Sequence, residues 1–359
     1  MRSRRWIRTL ILASLIFVLI VYEENQKSIA IAVIIVLLNR SNYEEYRLAI
    51  ESFECYVLYH NYTWIVIDLS ANITLRRLCP HEDFMFARHC ITAKVMEEQS
   101  GIQWFLFVDA DMGVINPNHL IEEWIDNSVD LIFYSRIFNH EVMAGSYLAK
   151  NTPYTWQFLR FWADYESKLP FTPFGSDNGA IHVGELFFVD VYLLELVVMN
   201  VLLEFVLPKR VSERKFCERI WFEAKDFGDL NIYVACVRNI TDEALALSNR
   251  VRILPKGEAW ARDTWLTDSM WCERDFILHG WQKRKNDRVV FGGWPSPFVS
   301  HHFNLSLCTD RNTISSNWQY KDTFMKSNFQ IDGWLNKVIA NSKHEFNKHL
   351  KLAASYRGQ

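Results

Sequence analysis

The stretch Gln103-Trp-Phe-Leu-Phe-Val-Asp-Ala-Asp-Met-Gly-Val-Ile-Asn-Pro117 decides the fold. Its five apolar residues from Trp104 to Val108, bounded by Gln103 and Asp109, read as a strand buried on both faces, the kind that fills a parallel sheet. The strand ends in two carboxylates. Successive side chains of an extended chain alternate faces, so Asp109 and Asp111 are expected on one side, at the strand tip where an open α/β sheet presents its ligands. Two like charges side by side raise each other's pKa unless a cation shares them, and a carboxylate-rich oxygen pair suits Mg²⁺ or Mn²⁺. The plainer alternative is an acidic strand-to-loop turn.

Upstream, residues 29–38 form an apolar, β-branched run that reads as the first core strand. Ser41 with Glu44 makes a capping box, which starts a helix through about Phe53 with Tyr46, Ala49, Ile50 and Phe53 on one face. Strands are expected at 56–59 and 64–67, and 83–99 is helix-like. Downstream, Pro117 opens a short helix to 125, residues 129–134 form a strand, 142–148 pairs near it, and 154–168 has helical spacing. Residues 186–207 are mostly apolar but carry Asp190, Glu195 and Glu204. Each embedded acid would cost about 2.5 to 3.5 kcal/mol at a bilayer centre, so this reads as a buried or amphipathic helix. The remainder, to about Leu350, reads as mixed strands and short helices. Alternating strands and helices imply an α/β fold, doubly wound, with a mostly parallel central sheet and helices on both faces.

The 359 residues, 50% hydrophobic, suffice for one large domain or two small ones. A net charge of -3 offers no general basic surface for nucleic acid. Fourteen Trp read chiefly as a bulky core, with sugar-stacking surfaces as the alternative. Arg2, Arg4, Arg5 and Arg8 precede an apolar run from Leu10 to Tyr22, a pattern that directs a chain to the secretory membrane with its tip in the cytosol. That run is shorter than the ~20 residues that span an average bilayer, so a cleaved signal peptide competes with a signal anchor. No small-x-small cleavage site stands between Tyr22 and Lys27, which favours the anchor. Residues 1–28 are therefore expected to be tip, anchor and stem, and 29–350 the folded domain. Sequons at Asn39, Asn61, Asn72, Asn239 and Asn304 agree with a lumenal location, and an odd count of 7 cysteines leaves at least one unpaired.

Asp-x-Asp after a hydrophobic strand is the mark of metal-dependent GT-A glycosyltransferases. Further blocks carry a more specific likeness: Ala144-Gly-Ser-Tyr-Leu-Ala-Lys-Asn151, Phe174-Gly-Ser-Asp-Asn-Gly-Ala-Ile-His182, Val251-Arg-Ile-Leu-Pro-Lys-Gly257 and Trp260-Ala-Arg-Asp-Thr-Trp-Leu266. With the Asp-x-Asp block they resemble the nematode-expanded family known as domain of unknown function 273, itself similar to nucleotide-diphospho-sugar transferases such as yeast galactosyltransferase and plant xylosyltransferase relatives. The likeness runs from about Ile31 to beyond Trp281. It departs after His182, where the apolar segment is longer than the family pattern.

The resemblance implies a GT-A fold and a Mn²⁺ or Mg²⁺ ion held by Asp109, Asp111 and His279. His279 ends an apolar run in His-Gly-Trp, where an ordinary surface or core histidine is the alternative, and the loop of Gly280 and Trp281 is expected to close over the diphosphate, with Ala110 inside the metal motif. Arg88, on the helix before the motif strand, is expected to approach the nucleotide; the alternative is a solvated helix charge. Asp177 and Asn178 are the catalytic candidates, fixing sugar hydroxyls or a developing positive charge, with an ordinary Ser-Asp-Asn-Gly turn as the alternative. Trp260-Ala-Arg-Asp263 is expected to line the acceptor side, with a structural Trp as the equal alternative. The implied protein is a single-pass type II enzyme of the Golgi or ER membrane that moves a sugar from a nucleotide-diphosphate donor to a glycan or glycoprotein acceptor. Its rivals are a sugar-binding pseudoenzyme and a haloacid-dehalogenase-like phosphohydrolase. In the latter the second Asp is followed by Gly-Thr, whereas this chain has Met112-Gly113-Val114.

Overall fold

The computed structural model describes residues 29–40, 43–169, 197–245, 249–286, 293–310 and 312–356. The expected anchor in residues 1–28 and the catalytic candidates Asp177 and Asn178 lie outside the described residues.

Strand β1, Ile31–Leu37, is buried along its whole length. It pairs in parallel with β2, Thr63–Asp68, on one side and with β3, Trp104–Val108, on the other. Continuous Val, Ile, Phe and Leu suits a strand covered on both faces. Ala32, Ile34, Val36, Phe105 and Phe107 share one core with helices α3, Phe84–Glu98, and α4, Pro153–Asp164, while Val33, Ile35 and Leu106 are equally buried opposite them. Beyond β3 come β6, Ser146–Lys150, then β5, Leu131–Tyr134, and β7, Val251–Leu254. The sheet order is β2-β1-β3-β6-β5-β7, and only β6 runs against the others. The protein is thus mixed α/β with a mostly parallel central sheet.

Several local expectations change. Helix α1, Tyr43–His60, absorbs the strand expected at 56–59. Phe53, Tyr56 and Val57 are buried at helical spacing, and the Tyr56 ring packs tilted against Phe276 with ring centroids 5.1 Å apart. Core packing thus overrides the strand preference of an aromatic, β-branched run. The helix expected from Pro117 shrinks to the 3-10 turn Ile121–Trp124. Helix α2, Ile73–Leu78, was not anticipated, and neither were the long C-terminal helices α5, Val211–Glu223, α6, Phe227–Leu245, and α7, Asn328–Ser355. Ser327 and Gln330 start α7 with a capping box. Of the segment 186–207, the described residues 197–206 are helical, and Val197 to Leu203 are buried in the core. No described helix is long and apolar enough to cross a membrane.

A second sheet positions the site. Its strands are β4, Met112–Val114, β9, Ile277–His279, and β8, Ala261–Asp263, in the order β4-β9-β8. The register sets Met112 opposite His279, and His279 opposite Asp263. One row therefore carries the start of β4, just after Asp111, and the ends of β9 and β8. The sheet is tied to its surroundings by Trp318 Nε1 donating to Val114 O at 3.1 Å and Tyr320 OH donating to Ile115 O, and the disulfide Cys55–Cys308 joins helix α1 to the segment before those two aromatics. Cys79–Cys90 and Cys217–Cys236 also pair, and Cys272 is the buried free thiol.

Candidate metal centre

Asp109 and Asp111 do not share one extended strand. The chain turns between β3 and β4, and Met112 N donates to Asp109 O at 3.0 Å. Ala110 occupies that turn. The two carboxylates nevertheless converge, because β9 draws the start of β4 toward His279. Ligand atoms of Asp109, Asp111 and His279 all lie within 4.8 Å of one another. Two ligands on opposite sides of Mg²⁺, at about 2.1 Å each, stand about 4.2 Å apart, so three groups at this spacing fit one small cation with little adjustment. Two carboxylates and an imidazole suit Mn²⁺ equally.

Each ligand is held by its own partners. Arg88, buried on α3, donates through Nη1 to Asp109 Oδ1 and through Nε to Met85 O, and its guanidinium lies over the Phe107 ring. It is therefore not a solvated helix charge. Its Nη2 is buried with no hydrogen-bond partner among the described residues. Gly145 leaves room for Asp109, since a Cβ there would come within 2.2 Å of Oδ2. Asp111, expected at an open strand tip, is buried. Gln282 Nε2 donates to its Oδ2 at 2.9 Å, and His279 Nε2 stands 3.3 Å from its Oδ1. Burial alone would push the Asp111 carboxyl up, but His279 and then Lys285 hold it well below the usual carboxylate range.

His279 lies between two carboxylates, with Nδ1 2.9 Å from Asp263 Oδ1. Burial opposes a charged imidazole, yet Asp111 first and Asp263 next raise its pKa to about 10. Asp263 also accepts from Arg136 Nη2 at 2.6 Å. Burial pushes its carboxyl up, and Arg136 and His279 more than reverse this. The metal-free centre is thus a buried alternation of charge: carboxylate, imidazolium, carboxylate, guanidinium.

The loop after His279 shapes the floor. Gly280 has φ +106°, where a side chain is strained, and a Cβ there would meet Trp294 at 2.6 Å. The amides of Gly280 and Trp281 both donate to Asp111 O, at 2.9 and 2.7 Å. Trp281, expected to contact the donor, is fully buried and packs edge to face on Phe298 at 5.2 Å, so it supports the loop and offers no stacking surface. Trp260 is likewise buried, donating to Ser146 Oγ at 2.9 Å.

Sequence reasoning missed Gln282 and Lys285, although both follow His279 within six residues and Lys285 belongs to the basic run Lys283-Arg284-Lys285. Lys285 lies over the Trp294 ring; burial lowers its pKa while Asp111 raises it. It also missed the link from Asp263 to His279, for which no local signal exists.

No curated protein matches the chain. A solved structure, the crystal structure of a glycosyltransferase involved in the glycosylation of the major capsid of PBCV-1, is similar at 16% identity with a TM-score of 0.30. The match covers 38% of this chain and 66% of that one, just under two thirds of its length, and carries no argument about activity. A family model described as protein of unknown function, DUF273, matches residues 53–292, a span that runs from α1 through Asp109, Asp111, Asp263 and His279. With more than half of its length inside that match, the chain belongs to the DUF273 family.

Proposed function

We propose that the chain is a metal-dependent glycosyltransferase of the GT-A type, moving a hexose or pentose from a nucleotide-diphosphate sugar to a glycan or glycoprotein acceptor. The observation that carries this reading is the convergence of Asp109, Asp111 and His279 at the end of a central strand, within 4.8 Å of one another. Bound there, Mn²⁺ or Mg²⁺ offsets the negative charge that develops on the departing diphosphate. Arg88 fixes the orientation of Asp109 and carries a further N–H donor at Nη2 for a phosphate or ribose oxygen. Lys285, in the electrostatic field of Asp111, adds positive charge on the loop that follows His279. Asp177 and Asn178 keep their proposed role in fixing sugar hydroxyls.

The same reading puts the protein in the Golgi or ER membrane, anchored by residues 1–28 with the domain 29–350 in the lumen. Three disulfides support an oxidising compartment, and Asn61, Asn239 and Asn304 are exposed sequons.

The test is a panel of UDP- and GDP-sugars offered to the full-length detergent-solubilised protein with and without Mn²⁺, following the melting midpoint and release of nucleoside diphosphate. One donor is expected to raise the midpoint only with metal and to be turned over. Stabilisation without turnover would select a sugar-binding protein. No stabilisation by any donor would remove the glycosyltransferase reading.

A further inference from the structure

We infer that Asp263, clamped by Arg136, is the positioning residue for His279: it accepts a hydrogen bond from Nδ1–H and so leaves Nε2 as the nitrogen that faces Asp109 and Asp111. This rests on the metal reading above and adds to it a residue outside the three ligands.

The backbone delivers the pair before any side chain is considered. Strands β8 and β9 run parallel with Asp263 opposite His279, so both end at the same level of the small sheet. Asp263 Oδ1 then lies 2.9 Å from His279 Nδ1. A carboxylate oxygen has no proton to give, so at this distance Nδ1 must be the donor. With Nδ1 so engaged, Nε2, 3.3 Å from Asp111 Oδ1, is the nitrogen whose lone pair would be offered to a cation held between the two. The other tautomer would set the Nδ1 lone pair against a buried carboxylate.

Asp263 is itself fixed. Arg136 Nη2 donates to the same Oδ1 at 2.6 Å, and both side chains are at most 9% exposed. The Arg136 guanidinium lies over the Phe138 ring at 4.7 Å and 3.8 Å from the fully buried Glu141. Arg136 thus gives Asp263 a permanent counter-charge that does not depend on the state of His279. A carboxylate or carbonyl behind a ligating histidine typically contributes about 10 to 100-fold in metal affinity.

The test measures Mn²⁺ affinity by the free-ion EPR signal, and the ¹⁴N modulation that an imidazole nitrogen imposes on bound Mn²⁺. Asp263→Leu, and Arg136→Leu with Asp263→Leu to avoid stranding a buried guanidinium, are expected to bind Mn²⁺ about 10 to 100-fold more weakly and to lose the ¹⁴N modulation. Asp263→Asn keeps a carbonyl acceptor and is expected to restore both. Wild-type affinity and modulation in the double variant would overturn the inference. In that case, weak binding by His279→Ala and Asp111→Asn would leave the metal reading standing, whereas wild-type binding by those two would remove the metal reading itself. Should the Leu variants not fold, long-range ¹H–¹⁵N spectra of the wild-type protein loaded with diamagnetic Cd²⁺ decide: a proton on Nδ1 supports the inference, and a proton on Nε2 overturns it.

Discussion

Two buried histidines separate the large sheet from the small one. His89 on α3 is 0% exposed, stacked on Trp162 at 3.7 Å, with Tyr147 OH as its one hydrogen-bond partner among the described residues. Burial first, and the nearby Arg88 charge second, push its pKa well below the ordinary 6.5, so it is a neutral aromatic of the core. His279, similarly enclosed, is flanked by two carboxylates and is a cation in the metal-free protein. Depth is common to both, and partners decide the charge. The large sheet is held by apolar packing on both faces, whereas the three-stranded sheet holds charges in a row and is braced from outside by two aromatic hydrogen bonds and, less directly, by the disulfide from α1.

The hardest blow to the small sheet is Asp111→Asn. Loss of one preorganised electrostatic group typically costs about 10² to 10³ in rate, and metal-dependent donor turnover is the readout. Because Asp111 is buried against His279, the metal-free melting temperature should fall as well; full turnover would take Asp111 out of the chemistry. Next is the brace. Replacing Cys55 and Cys308 together by Ser opens a cross-link that spans 253 residues, and should lower unfolding free energy by about 2 to 5 kcal/mol in denaturant titration. A midpoint unchanged from wild type would show that the small sheet stands without it.

Exchanging the histidines for a bulky apolar ring sharpens the contrast. His89→Phe should cost less than about 1.5 kcal/mol and leave Mn²⁺ affinity intact. His279→Phe should abolish that affinity. Equal effects on metal binding would erase the distinction. The smallest effect is on the pH dependence of metal-free stability, where the two histidines act with opposite sign. His279 has a raised folded pKa, so its contribution is complete below about 6.5 and is lost as pH rises through about 10. His89 has a lowered one, so stability falls as pH drops below about 6.5, where the unfolded chain takes up the proton. His279→Phe should flatten the alkaline limb and His89→Phe the acid limb, read by melting temperature across pH 4 to about 10.

What the sequence showed follows from range. The apolar run Trp104 to Val108 with Asp109 and Asp111 is a local signal, so the two carboxylates were legible from a strand end alone; His279, at the end of a second apolar run, entered as the third ligand only through the family resemblance. The turn at Ala110 was not, because alternation presumes an extended chain and the hydrogen bond from Met112 N to Asp109 O bends it. Asp263 read as part of a Trp-containing block, and only the β8–β9 register reveals that it faces His279. Residues 56–59 looked like a strand because Tyr, Val, Leu and Tyr favour one in isolation. The helix wins because Tyr56 finds Phe276, some 220 residues away in the chain. The lone reversed strand β6 was equally hidden, since direction is a property of connections and not of composition.

The bond between Cys55 and Cys308 also sets a clock. Its first sulfur emerges early in synthesis and its second 253 residues later. At about 5 to 20 residues per second, Cys55 waits on the order of 13 to 50 seconds for its partner. During that wait Cys79 and Cys90, only 11 residues apart, are already present as rival thiols. His279 and Asp263 also arrive within that interval, so the charged row cannot form on a nascent chain that has released only β1 to β6. Correct pairing of Cys55 is therefore a late event, later than the arrival of every residue of the charged row.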